Sequence, residues 1–217
     1  FDRDGNPHGM AVIIPLDLPG VSKGKPLEKI GQRALPQGEI YFDNVRVPKR
    51  FAVALKDDYY GNMTSAWSFA GTHMGQAFTG VARAGFELAL QYCHERKQGG
   101  RTLIDHQLTR YRLGDMLRRV ELCRSVARRS LAYARLSPLT HPYVTAAGKV
   151  TVTQEAMKVV DEAFQLFGGA GMSREYPIEK LYRDTRVALI EDGENTILTM
   201  RLGVLAQQLY AEGWSQS

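Results

Sequence analysis

Cysteine is scarce, with two in 217 residues, Cys93 and Cys123. Both sit in helix-like contexts without metal-ligand spacing. A disulfide framework is therefore not expected, and two reduced thiols in or beside a core, in a cytoplasmic-type compartment, are the expectation. The five histidines (His8, His73, His94, His106 and His141) are too scattered to propose a metal site. No Ser-His-Asp or Cys-His set can be assembled from the sequence, which leaves acid–base chemistry to carboxylates. No apolar run approaches the length of a membrane span, and no signal sequence is expected. Internal repeats and low-complexity tracts are also missing.

What is present is ordinary for a water-facing globular protein: 44% apolar and 24% charged residues. The length suits one large domain or two smaller ones. The net charge of +5 is unevenly placed, because eleven Lys/Arg face only four acids between Glu95 and Arg135. No nucleic-acid motif accompanies this charge, so it is read as the solvated side of an amphipathic helix and no nucleic-acid partner is expected. The first residue is Phe1, inside what reads as sheet, and the chain is expected to be part of a longer polypeptide.

Residues 1 to about 55 carry strand signals at Met10–Pro15, Leu27–Gln32 and Gly38–Val47. So few strands leave an unpaired edge and rarely stand alone, so further strands are expected upstream. After Tyr60 the period changes to helical. Ala70, Met74, Ala77, Val81, Ala84 and Leu88 form one stripe, in a helix interrupted by glycines that invite close packing. A second stripe runs Leu113, Met116, Leu117, Val120, Cys123, Ala127 and Leu131, with Asp105 as its expected N-cap and Ser137-Pro138 as its stop. A third follows Ala147, Val150, Met157, Val160 and Phe164. The last follows Leu198, Leu202, Leu205 and Leu209. Short connections between long amphipathic helices predict an antiparallel bundle.

The densest signal lies between Gln165 and Ile197. It reads Gln-Leu-Phe-Gly-Gly-Ala-Gly-Met, then Glu-Tyr-Pro-Ile-Glu-Lys-Leu-Tyr-Arg-Asp, then Ile-Glu-Asp-Gly-Glu-Asn-Thr-Ile. Gly168, Gly169 and Gly171 allow positive φ and close approach of backbone to a ligand. Pro177 suits a first helical turn. Glu191, Asp192 and Glu194 ride on a loop that enters a helix N-terminus, where carboxylates are favoured. Taken alone, this is equally a helix-loop-helix corner in which Asp192 only caps the last helix.

This stretch closely resembles the C-terminal signature of the acyl-CoA dehydrogenase family. The segment from Ile30 to Pro48 resembles the end of that family's middle β-domain, so the resemblance covers essentially the whole chain. It implies a mainly α fold: a partial middle β-domain over residues 1–57, then a C-terminal antiparallel four-helix bundle with a short accessory helix over 58–217. It implies FAD as cofactor and Asp192 as the base that removes the proton α to an acyl-CoA thioester while hydride leaves for the flavin. The main family branch carries glutamate at that place, one methylene longer. Another branch places its base early in the first long helix, a position that falls near Ser65, which is no carboxylate. The resemblance assigns cofactor contacts to Arg96 and Gln98, to Gln165, Gly168 and Gly169, and to Glu194, the last where a small hydroxyl residue is usual. Arg96 matches an arginine that grips the FAD pyrophosphate from a neighbouring subunit, and Gly99 stands where the family has Phe. Tyr182, Arg183 and Asp184 match too, with a structural Arg-Asp pair expected. A homodimer or homotetramer, an electron-transfer flavoprotein partner and a cytoplasmic location (the mitochondrial matrix in a eukaryote) follow as expectations. So does an inactive 217-residue piece that binds FAD weakly or not at all. Two alternatives stay open: a flavin oxidase or monooxygenase on the same scaffold, and a non-catalytic oligomerisation module.

Overall fold

A computed structural model describes residues 9–55, 59–136, 142–211 and 213. Among them are five α-helices: α1 (Tyr59–Glu95), α2 (Gln107–Leu136), α3 (Pro142–Phe167), α4 (Ile178–Thr185) and α5 (Asn195–Ala211). The strands are short: β1 (Met10–Val12), β2 (Val21–Lys23), β3 (Ile40–Phe42), β4 (Ala52–Leu55), β5 (Lys97–Gln98) and β6 (Arg101–Thr102). The fold is thus mainly α, as expected. It divides into two compact units between Trp67 and Ser68. The expected helix stop at Ser137-Pro138 and the boundary between residues 57 and 58 lie outside the described residues.

In the first unit, β1 pairs antiparallel with β4 and β2 with β3, each as a two-stranded ribbon. The expected strand at Leu27–Gln32 is irregular, and Gly38–Val47 contributes only Ile40–Phe42. Among the described residues, no third strand joins either ribbon. Ile40, Tyr41 and Phe42 accordingly remain exposed.

The second unit is a four-helix bundle of α1, α2, α3 and α5 with α4 as the accessory helix. Contacts across α2 and α3 descend in antiparallel order. The Ser130 hydroxyl donates to the Val144 carbonyl (3.3 Å), the Cys123 thiol to Val152 (3.7 Å), and Arg112 pairs with Glu162 (3.2 Å). Along α1, Gly71 faces Lys149 and Gly85 faces Val160, so α1 runs parallel to α3. The core unites Phe78, Ala82, Ala89 and Tyr92 of α1 with Met116, Val120 and Cys123 of α2 and Val152, Val159 and Val160 of α3.

The predicted stripes hold well for α2 and α5. Leu113, Met116, Val120, Cys123 and Ala127 are buried, although Leu117 is exposed. Leu198, Leu202, Leu205 and Leu209 are all half-buried. In α1 the buried face is rotated from the predicted one and runs through Gly75, Phe78, Ala82, Gly85, Ala89 and Tyr92. The cause is at Gly85, where a Cβ would lie 3.3 Å from Val160 Cγ2: the helices meet on the glycine side, closer than an apolar stripe allows.

The arginines of α2 are largely engaged in ion pairs. Arg118 and Arg119 hold Asp115 (2.6 and 2.7 Å), Arg119 also pairs with Glu155 of α3, and Arg124 pairs with Glu121. This is the solvated helix face read from the sequence. Asp105 differs from expectation: its carboxylate accepts from the Thr102 hydroxyl and pairs with Arg110 (3.5 Å), two residues ahead of the helix.

Candidate functional site

The predicted site residues fall into two groups at opposite ends of α3. The first group gathers where α1 and α3 end. Tyr92 of α1 stacks on Phe167 of α3 (centroids 4.2 Å apart, planes 20° apart), and Tyr176 meets both edge-on. This aromatic trio places the Arg96 hairpin and the Gln165–Gly169 segment at one end of the bundle. In the hairpin, Lys97 opposes Thr102 and Gln98 opposes Arg101. Gly99 (φ 62°) and Gly100 (φ 79°) form its turn. Positive φ at both turn positions is a conformation that glycine adopts without strain. His106 fills the space beside it, its Nε2 donating to the Gln98 carbonyl (2.9 Å) while Nδ1 accepts from Arg101 Nε (3.4 Å).

Arg96 and Gln98 are exposed, and among the described residues the Arg96 guanidinium has no ion-pair partner. Gly168 closes α3 with φ 57°, and a Cβ on Gly168 or Gly169 would meet nothing within 4 Å. Bare backbone therefore faces open space beside exposed Gln165. Gly171 serves packing instead, since a Cβ there would lie 3.1 Å from Phe167 Cβ and 3.2 Å from the Phe164 carbonyl. An exposed planar fork of five donors at the same end of the bundle as uncovered backbone could hold a phosphate-bearing group.

The second group is the acidic loop. A 3-10 turn at Arg186–Leu189 ends as the Ile190 and Glu191 amides donate back to the Val187 carbonyl (2.8 and 3.0 Å). Asp192 (φ 51°) and Gly193 (φ 97°) then turn through left-handed backbone into α5. Aspartate tolerates that region better than most residues. Asp192 is exposed, and its side chain makes no hydrogen bond among the described residues. Capping is done by Glu194, whose carboxylate accepts from the amides of Thr196 (2.8 Å) and Ile197 (3.1 Å). The Thr196 amide bond first, then that of Ile197, holds the Glu194 carboxyl below its ordinary range.

Beneath the loop lies a residue the sequence reading missed. Lys149 of α3 is 1% exposed, and its Nζ donates to the Gly193 carbonyl and to Asn195 Oδ1, both at 2.8 Å. Asn195 Nδ2 donates in turn to Thr153 Oγ1 (3.0 Å), which donates to the Lys149 carbonyl (2.8 Å). Burial lowers the Lys149 pKa, and the charges of Asp192, Glu191 and Glu194 oppose that shift. The available signal was register: Lys149 stands three, seven and eleven residues before Val152, Ala156 and Val160, all buried.

Arg183 and Asp184 line α4 in two i,i+4 pairs, Arg183 with Glu179 (2.8 Å) and Asp184 with Lys180. Thus α4 is braced along its own length between the two groups.

Residues 65–206 match the family described as acyl-CoA dehydrogenase, C-terminal domain. The chain belongs to the acyl-CoA dehydrogenase family. It is 29% identical over 209 residues to cyclohexane-1-carbonyl-CoA dehydrogenase of Geobacter metallireducens, covering 92% of this chain and 52% of that protein. With glutaryl-CoA dehydrogenase of Desulfococcus multivorans it shares 31% over 203 residues, 92% of this chain and 51% of the relative. The solved structure of butyryl-CoA dehydrogenase from Megasphaera elsdenii superposes with a TM-score of 0.88 at 26% identity, over 95% of this chain and 54% of that one. The chain therefore spans about half the length of the family members it matches. Among the described residues, no helix is long and apolar enough to cross a membrane, and no cluster of His, Cys, Asp and Glu could hold a metal.

Proposed function

We propose that this chain is the C-terminal part of an FAD-dependent acyl-CoA dehydrogenase: residues 1–57 complete a middle β-domain, residues 58–217 form the helical domain, and Asp192 is the catalytic base. The observation that carries this reading is the acidic loop. Asp192 is held in a left-handed turn with its carboxylate exposed and, among the described residues, without a hydrogen-bond partner, while its neighbour Glu194 takes the capping duty. A carboxylate freed from capping, on a backbone that cannot easily rotate away, suits abstraction of the proton α to a thioester. The named relatives act on CoA thioesters, which fits that proton. FAD, when bound, supplies the acceptor for the hydride lost from the β-carbon.

In this reading, Arg96 and Gln98 address the pyrophosphate, and Gln165 with the bare backbone of Gly168 and Gly169 approaches the adenosine end. Glu194 borders the flavin and shapes that wall mainly as the α5 cap. From Lys149 to Phe167 there are eighteen residues of α3, about 27 Å at the helical rise. That separation between the base loop and the phosphate-binding end supports a homodimer or homotetramer, in which each cofactor takes its base from one copy and its arginine from another. The acyl-CoA as substrate and an electron-transfer flavoprotein as electron acceptor complete the proposal.

The test is the visible spectrum of the full-length protein during anaerobic addition of acyl-CoA thioesters. Loss of the flavin band at about 450 nm is expected, and Asp192→Asn should slow it by at least about a hundredfold. A colourless full-length protein, or undiminished bleaching in the Asn variant, would overturn the assignment.

A further inference from the structure

A lysine is among the side chains least often buried, and it is tolerated inside only when its charge and donors are satisfied. Lys149 meets those conditions through residues 44 and 46 positions further along the chain, the Gly193 carbonyl and Asn195 Oδ1. The site is built to receive it. Gly71 of α1 packs against its stem, where a Cβ would lie in ordinary contact, 3.7 Å from Lys149 Cβ. The Asn195 amide nitrogen donates to Thr153 Oγ1 (3.0 Å) while its oxygen accepts from the ammonium (2.8 Å). Gly193 and Asn195 bracket Glu194, and the Gly193 carbonyl lies directly after Asp192. The ammonium thus grips the loop on the chain-downstream side of the left-handed pair, while the amide bonds to Val187 grip it upstream.

We propose that Lys149 is a positioning residue for the Asp192 base: by holding the Gly193 carbonyl and the Asn195 side chain it fixes the left-handed turn that aims the Asp192 carboxylate at the substrate. The proposal rests on the assignment of Asp192 as base. Aspartate is the shorter carboxylate, so its reach depends wholly on where the backbone sits. A displacement of about 1 Å is enough to cost on the order of a hundredfold in rate. A backbone anchored only by its own short turn would sample such displacements. The buried ammonium removes that freedom from beneath without occupying the carboxylate.

The experiment uses the full-length flavoprotein and its Lys149→Met variant, read in two ways. Amide hydrogen exchange is followed over residues 190–196 and over the interiors of α2 and α3. Single-turnover flavin bleaching by butyryl-CoA is followed anaerobically, with the apparent affinity for the thioester taken from the concentration dependence. Expected are loop amides exchanging at least about tenfold faster with the helix interiors unchanged, and a bleaching rate constant about a hundredfold lower with affinity held within about threefold. A purely structural lysine would instead lose flavin or loosen α2 and α3 together with the loop, and that result overturns the proposal. Bleaching at the parent rate with a loosened loop overturns it as well. Should Lys149→Met fail to fold, Asn195→Ala keeps the lysine and removes one of its two acceptors. A loop-confined increase in exchange and about tenfold slower bleaching are then expected, and parent behaviour in both refutes the role. Asp192→Asn measured alongside separates the two ideas: parent-rate bleaching there sinks the base assignment itself, whatever Lys149 does to the loop.

Discussion

Gly148 sits where α3 crosses α2 most tightly, and the structure sets the cost of filling it. A Cβ built on Gly148 would stand 1.9 Å from Ser130 Oγ and 2.9 Å from Ser130 Cβ. Ser130 is itself 3% exposed and donates to the Val144 carbonyl at 3.3 Å, so its hydroxyl has nowhere to retreat without losing that bond. Gly148→Ala gains about 1 kcal/mol of helix propensity. Against this stand about 1–3 kcal/mol for overpacking a closed interior and about 1 kcal/mol for the lost hydrogen bond. The net expectation is a destabilisation of about 1–3 kcal/mol, or a fall in Tm of several degrees for a chain of this size. Ser130→Ala in the same chain removes the nearest atom and should return at least about 1 kcal/mol relative to additivity. Urea unfolding of the parent, both single variants and the double variant measures this cycle. A stabilised Gly148→Ala, or strict additivity of the pair, would show that the α2–α3 crossing is not set by the absent side chain.

Two further outcomes follow from the electrostatics. The folded-state pKa of Glu194 is depressed by the amides it caps, so its contribution is complete above the ordinary carboxylate range and fades as pH falls through the lowered value. Between about pH 5 and pH 3, Tm should therefore fall less steeply in Glu194→Gln than in the parent, and parallel slopes in thermal melts would refute the cap. Burial pushes the Cys123 thiol up to about 11 and that of Cys93 upward as well. Neither should react with a thiol reagent in the native protein at about pH 8, and both should react in denaturant; rapid native labelling of Cys123 would contradict its place in the core.

The same contrasts show how much of the molecule was legible beforehand. The α2 stripe could be read because its apolar residues repeat on one face and each is large enough to fill its own space. In α5, Leu198, Leu202, Leu205 and Leu209 mark the inner side for the same reason. The ends of α3 and α4 were legible through Gly168 and Pro177, whose backbone preferences are local. The α1 stripe was misread because glycine carries no hydrophobic signal, yet Gly75 and Gly85 are buried and a Cβ on Gly85 would lie 3.3 Å from Val160 Cγ2. The strand signals of the first unit were overread, since alternation implies a strand only where a neighbour pairs with it.

The candidate site divides the same way. Sequence by itself determined the family, the helical fold, the acidic loop and the glycine-terminated helix, because these depend on residue types at fixed short spacings. Only tertiary structure decided which acid caps the last helix, that His106 packs beside the hairpin turn, and that Lys149 is inside. A lysine in a helix reads as a surface residue until a carbonyl and an amide from more than forty residues away are brought to its ammonium. Those partners exist only once α5 packs against α3, and burial of a charge is a property of what surrounds it.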